Sequence, residues 1–293
     1  MGSDPIASLL HIKGFCMTNN QTSLRRISPP TGFVRISFSE IWDYRDLFYY
    51  LVWRDFVIRY KQTLIGIAWA VFQPLFSTGI FTIVFGHWAK MPSDGLPYPV
   101  FTFSAMLPWI FFATGLNHGT TSLIGNRELI LKVYFPRVII PGYAVVGNGC
   151  NFLISLCFLF IMMAWYGIYP NIRILFLPVL ILLTVMTAFG TALWLSALNV
   201  RYRDVQNTIP MLTQVWFFLT PVVYPGSIID ESWRFWVSFN PMSGIIEGYR
   251  WCMLGVNSVS LYSIMISGII AILLFFSGLI YFYRTERFFA DII

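Results

Sequence analysis

Few side chains in this sequence have the type and spacing to do chemistry. Glu247 and Arg250 lie three apart, the separation of an ion pair on one helix face. Asp94, Asp230 and Glu231 are the other carboxylates of the same side of the chain. They form no paired-carboxylate or His/Asp constellation of the kind that hydrolysis or group transfer needs. His118 stands in an apolar stretch, where it is either a hydrogen-bonded packing residue or a functional one. Cys150 and Cys157, seven apart, share a helix face; Cys16 and Cys252 lie elsewhere, and no CxxC or Cys/His metal spacing occurs. None of the four lysines follows a glycine, so the GxxxxGK[ST] loop that cradles nucleotide phosphates is absent. No metal, cofactor or ATP site is expected in this chain.

The elements that hold these residues are dictated by composition. Of the 293 residues 57% are hydrophobic, 18% aromatic and only 11% charged. A soluble domain carries about a quarter charged residues, so this is an integral membrane protein. Six spans are expected, at about Leu64–Phe85, Val100–Leu123, Val138–Tyr166, Ile174–Val200, Val205–Val223 and Val259–Tyr283, each long enough to cross about 30 Å of hydrocarbon. None of them contains Asp, Glu, Lys or Arg, which argues against an ion-coupled carrier. The polar side chains inside them are amides such as Gln73, Asn117, Asn148, Asn151 and Gln214, suited to bonding between helices or to lining a polar route. Gly115 and Gly119 make a close-packing GxxxG pair, and Pro74 removes a helical donor from the first span. The formal net charge is +6. Lys90, Arg173, Arg234 and Arg250 fall on one side; the other fifteen basic residues fall on the opposite side with both termini. The positive-inside rule makes that side cytoplasmic. The charge is thereby explained without nucleic acid.

Three segments between or before the spans carry structure of their own. Residues 1–38 read as a flexible cytoplasmic extension with no cleavable signal peptide. Ser39–Trp53 reads as an amphipathic helix in the interface plane. Arg54, Arg59 and Lys61 then form a cytoplasmic elbow into the first span. The inner loop Gly125–Arg137 reads as a short helix capped by Asn126, running through Glu128 and Lys132 to Tyr134 and ended by Pro136. The outer segment Tyr224–Ser258 is crowded with aromatics, including Trp233 and Trp236, and Asn240-Pro241 splits it into two short helices. Such a segment either re-enters the outer leaflet or lies as an interfacial belt.

Read together, RDFVIRYKQTLIGIAWAVFQPL (54–75), LILKVYFPR (129–137), LNVRYRDVQNTIPMLTQVWFFLTPVVYP (198–225) and FNPMSGIIEGYRWCMLG (239–255) resemble the membrane-spanning subunit of type-2 ABC exporters of polysaccharides. That family exports O-antigen, capsule and teichoic acid, and the likeness covers nearly everything after residue 40. The resemblance implies a homodimer in the bacterial cytoplasmic membrane, working with two copies of a separate ATPase that binds ATP and Mg. It implies that Asn126–Tyr134, with Glu128, Lys132 and Arg137, is the helix that docks on the ATPase. The short helices near Ile228–Phe239 and Ser243–Leu254, with Trp233, Trp236, Glu247 and Arg250, become gate helices. The pathway would follow the dimer interface along the first and fifth spans. A sugar chain offers flat C–H faces on which Trp69, Phe72, Trp216, Phe217 and Tyr224 could stack without demanding one hydroxyl pattern; the same rings could equally pack the bundle. Alternative readings are an exporter of a drug or lipid, or a membrane enzyme acting on lipid-linked sugars.

Overall fold

The computed structural model describes residues 38–61, 68–256 and 260–289. The extension before residue 38, the beginning of the expected first span and the first residue of the last one lie outside these. Within the described residues every regular element is helical. The interface region is α1 (Phe38–Asp43) and α2 (Arg45–Tyr60). The bundle is built from α3 (Ala68–Phe81), α4 (Tyr98–Gly125), α6 (Ile139–Val146), α7 (Gly149–Trp165), α8 (Leu177–Arg201), α9 (Val205–Leu219) and α12 (Leu261–Thr285). At one end of the bundle α5 (Arg127–Lys132) follows α4, and at the other end α10 (Glu231–Ser238) and α11 (Pro241–Tyr249) join α9 to α12.

Five stretches are long and apolar enough to cross a membrane: Ala68–Trp88, Tyr98–Gly125, Ile139–Trp165, Ile172–Arg201 and Leu261–Thr285. The chain is an all-α membrane protein. The fifth expected span differs. α9 stops after 15 residues, short of the roughly 20 that a crossing takes as helix. Pro221 is the reason: it disfavours the helical conformation in the residue before it, and Thr220 is extended, with φ −103° and ψ 138°. The expected span 138–166 is likewise two helices, α6 and α7, parted at Gly147–Asn148.

α4 is the centre, with 78% of its central window buried. It meets α8 through small residues on both sides: Gly115 faces Ala188, and a Cβ on Gly119 would come within 2.6 Å of the Ala192 methyl. Hydrocarbon gives helices no solvent-driven reason to associate, so close approach of this kind has to supply the contact. The crossing of α8 and α12 is tighter still, because Gly278 lies against the carbonyl of Gly190. α3 is the opposite case, with only 11% of its window buried.

Candidate functional site

The end of the bundle that carries α5 is organised around α2. Leu51, Asp55 and Arg59 recur every four residues, so one side of the helix turns from apolar to ionic as it runs along the bundle. Arg54 and Arg59 belong to this continuous helix, and Lys61 closes it, its amide bonded to Val57 O; the rest of the join to the first span lies outside the described residues. The charges are tolerated because they have partners. Arg59 donates to Asp55 Oδ2 (2.7 Å) and to Asn148 Oδ1 (2.6 Å), and its Nη2 lies 3.1 Å from His118 Nδ1. An arginine only donates, so His118 accepts at Nδ1 and carries its proton on Nε2. Tyr60 bonds Asn151.

Asn126 does not cap α5. Its backbone is outside the cap region, at φ −113° and ψ 29°, and its side chain turns back to the bundle. Nδ2 donates to Ser122 O (2.8 Å) and to Tyr143 Oη (2.7 Å), while Oδ1 accepts from Arg54 (3.4 Å). α5 ends at Lys132, and Val133 is extended, which leaves Tyr134 beyond the helix and 78% exposed. Glu128 and Lys132 pair with each other at 3.1 Å in the open. Arg137 is engaged within the chain: its guanidinium donates to Glu286 O (2.7 Å) and its amide to Glu286 Oε1 (3.3 Å). Burial pushes the Glu286 carboxyl above the ordinary range, and the Arg137 amide and charge pull it partly back. Leu131, Val133 and Tyr134 remain as an exposed apolar cluster beside α5.

On α3, Trp69, Phe72 and Phe76 form a ladder of stacked rings, with centroids 5.7 and 6.0 Å apart, all exposed. Phe76 completes a pattern whose 69, 72, 76 spacing was already visible in the sequence. α9 exposes Met211, Leu212, Val215, Phe218 and Leu219. Phe217 faces the other way. It is buried among the protomer's own rings, 5.5 Å from both Phe81 and Trp109, so it packs the bundle and lines no open surface. Trp216 is half-buried against Phe112, its Nε1 donating to Asn240 Oδ1 (2.9 Å). Tyr224 is half-buried and donates to Phe218 O (3.1 Å).

The short helices α10 and α11 are separated at Asn240, as the Asn-Pro pair implies. Asn240 accepts from the amide of Met242 and donates to Thr220 Oγ1, so one side chain starts α11 and ties it to the end of α9. Trp233 and Trp236 are exposed on α10. Glu247 and Arg250 make no ion pair. Arg250 is buried and donates to the carbonyls of Pro221 (2.7 Å), Val222 (2.6 Å) and Tyr224 (3.3 Å), with its guanidinium carbon 3.6 Å from the Phe101 ring centre. Those carbonyls follow the broken end of α9, where helical partners are missing and negative charge collects. They compete successfully for the cation. Glu247 instead lines a cavity of about 250 Å³ with Arg234, Ser238, Tyr262 and Ser263.

The sequence pattern of the ABC-2 type transporter membrane family matches residues 46–254. This chain belongs to that family. Among curated ABC-2 relatives, the O-antigen export system permease protein RfbA of Myxococcus xanthus is 33% identical over 214 residues, covering 72% of this chain and 81% of the relative. A protein of the same name from Klebsiella pneumoniae is 28% identical over 250 residues, covering 85% of this chain and 95% of its own length. The polysialic acid transport protein KpsM of Escherichia coli is 20% identical over 199 residues, 66% of this chain and 76% of KpsM.

Proposed function

We propose that this chain is the permease subunit of an ATP-driven exporter that moves a polysaccharide across the bacterial cytoplasmic membrane.

The cargo class is a glycan such as O-antigen or capsule, carried on a lipid. The active unit is a homodimer of this chain with two copies of a separate ATP-binding subunit, which holds the ATP and Mg. The observation that carries this reading is the extent of the likeness to O-antigen permeases, which runs through most of both chains. Three features support it. The ring ladder Trp69, Phe72 and Phe76 is the surface on which C–H faces of a sugar chain can slide. The open side of α9 and the lightly buried α3 are the faces a second copy would cover. The apolar cluster Leu131, Val133 and Tyr134 beside the Glu128–Lys132 pair suits docking on the ATPase. α10 and α11 act as the outer gate, and the chain completes a sixth, partly non-helical crossing through residues 220–224, with both termini cytoplasmic.

The test is reconstitution of the chain with its ATPase in vesicles loaded with lipid-linked glycan on the ATP side. ATP-dependent appearance of glycan on the far side is expected, and its loss when Trp69, Phe72 and Phe76 are all replaced by Ala while the complex still assembles. Transport of a drug or a plain lipid, with none of the glycan, would overturn the cargo assignment.

A further inference from the structure

The hydrogen bonds along α2 join elements that are distant in sequence. Asn126 stands at the base of α5, between it and α4. Its one side chain holds Arg54 of α2, Tyr143 of α6 and the carbonyl of Ser122 in α4. The Arg54 guanidinium also lies over the Tyr143 ring, 5.9 Å from its centre. Little more than one turn further along α2, Arg59 is held by Asp55, Asn148 and His118. Asn148 is only 3% exposed, while Arg59 and Asp55 are part-buried, so this second fastening ties the edge of α2 to a buried side chain of the bundle. Room for it is made at the α6–α7 break, where a Cβ on Gly147 would stand 3.3 Å from Asp55 Oδ2. A helix that merely rested on the membrane surface would need none of these bonds.

We infer that Asn126 is a positioning residue that joins α5 to the interface helix, so that α2 and α5 are displaced together and a push on α5 is delivered to α2 through Arg54. The inference rests on the reading that α5 docks on an ATPase. Polar groups held from several sides in a low-dielectric setting resist separation, because breaking one bond leaves its partner unsatisfied. Arg59 with its three partners anchors the far end of the same helix. Asn126 is the contact nearest α5 and is therefore the one whose loss would let α5 move alone.

The experiment uses the full complex with its ATPase in nanodiscs. Spin labels are placed at Tyr50→Cys on α2 and Leu131→Cys on α5, in one subunit, with the native cysteines replaced; both positions are exposed. The interlabel distance is expected to be the same without nucleotide and with vanadate-trapped ADP. Asn126→Ala is expected to make it differ between the two states and to cut export per ATP hydrolysed by about tenfold, the scale of ordinary coupling between sites. Asn126→Asp keeps the acceptor for Arg54 and can accept from the Tyr143 hydroxyl where Asn126 donates to it, losing only the bond to Ser122 O, and is expected to restore both. A wild-type distance that changes with nucleotide, or unchanged export per ATP in Asn126→Ala, overturns the inference. The docking reading has its own readout: Leu131→Cys should crosslink to the ATPase, and failure there overturns that reading whatever the distances show.

Discussion

Arg250 carries a charge into the interior and holds it on backbone carbonyls, with no carboxylate at ion-pair distance among the described residues. Each carbonyl it satisfies would otherwise be an unpaired acceptor beyond the end of α9. A lysine there keeps the charge but concentrates it at one point and cannot span the same carbonyls. Arg250→Lys is expected to lose about 2 kcal/mol of stability, seen as a lower melting temperature in detergent; unchanged melting would remove the pin. The spacing of Glu247 and Arg250 permitted a pair, but the carbonyls that prevail are 26 to 29 residues away, beyond any local pattern. Glu286 gives a test of opposite sign. Its carboxyl titrates above the ordinary value because burial disfavours the charge. The native state thus loses stability as pH rises through the ordinary carboxylate value towards the raised one. Glu286→Gln keeps an acceptor for the Arg137 amide, so its stability relative to wild type should increase from pH 5 to pH 8. Melting curves at the two pH values check this; a difference that shrinks with pH contradicts it.

At the scale of elements, the long apolar helices were plain in the sequence because their length and composition leave no other environment for them. The shorter features depended on partners that a linear reading does not supply. α2 continues to Tyr60 because Asp55 and Arg59 find bonds in the bundle, whereas the same charges in sequence look like an exit into water. The early end of α9 was within reach, since Thr220 precedes a proline; the apolar run through Val223 masked it. In α5, Asn126 has the residue type of a cap, and only the presence of Tyr143 and Arg54 shows why it serves the bundle instead. The Glu128–Lys132 pair is exposed and so contributes little to folding. Glu128→Ala and Lys132→Ala should each change stability by no more than about 0.5 kcal/mol. Each should still reduce export relative to ATP hydrolysis in the reconstituted complex; full export by both would detach this element from coupling.

For the whole molecule, the two short helices α10 and α11 and the inner α5 lie at opposite ends of one bundle whose axis is α4. The orientation of that bundle is testable from two exposed positions. A membrane-impermeant maleimide should label Tyr169→Cys in intact cells and Arg287→Cys only in inverted vesicles; the reverse pattern would invert the topology.

The slight burial of α3 bears on how long the protein survives. Only about a tenth of the most apolar part of Ala68–Trp88 is fully buried inside its own chain. A copy that fails to pair with a second copy would present this face, with its ladder of rings, to the proteases that survey the membrane. Its half-life, followed by pulse-chase, is expected to lengthen as expression rises enough for copies to pair and to shorten when substitutions on the open side of α9 prevent pairing. An equal half-life in both cases would mean that lipid alone shelters α3, and that cells tolerate the orphan.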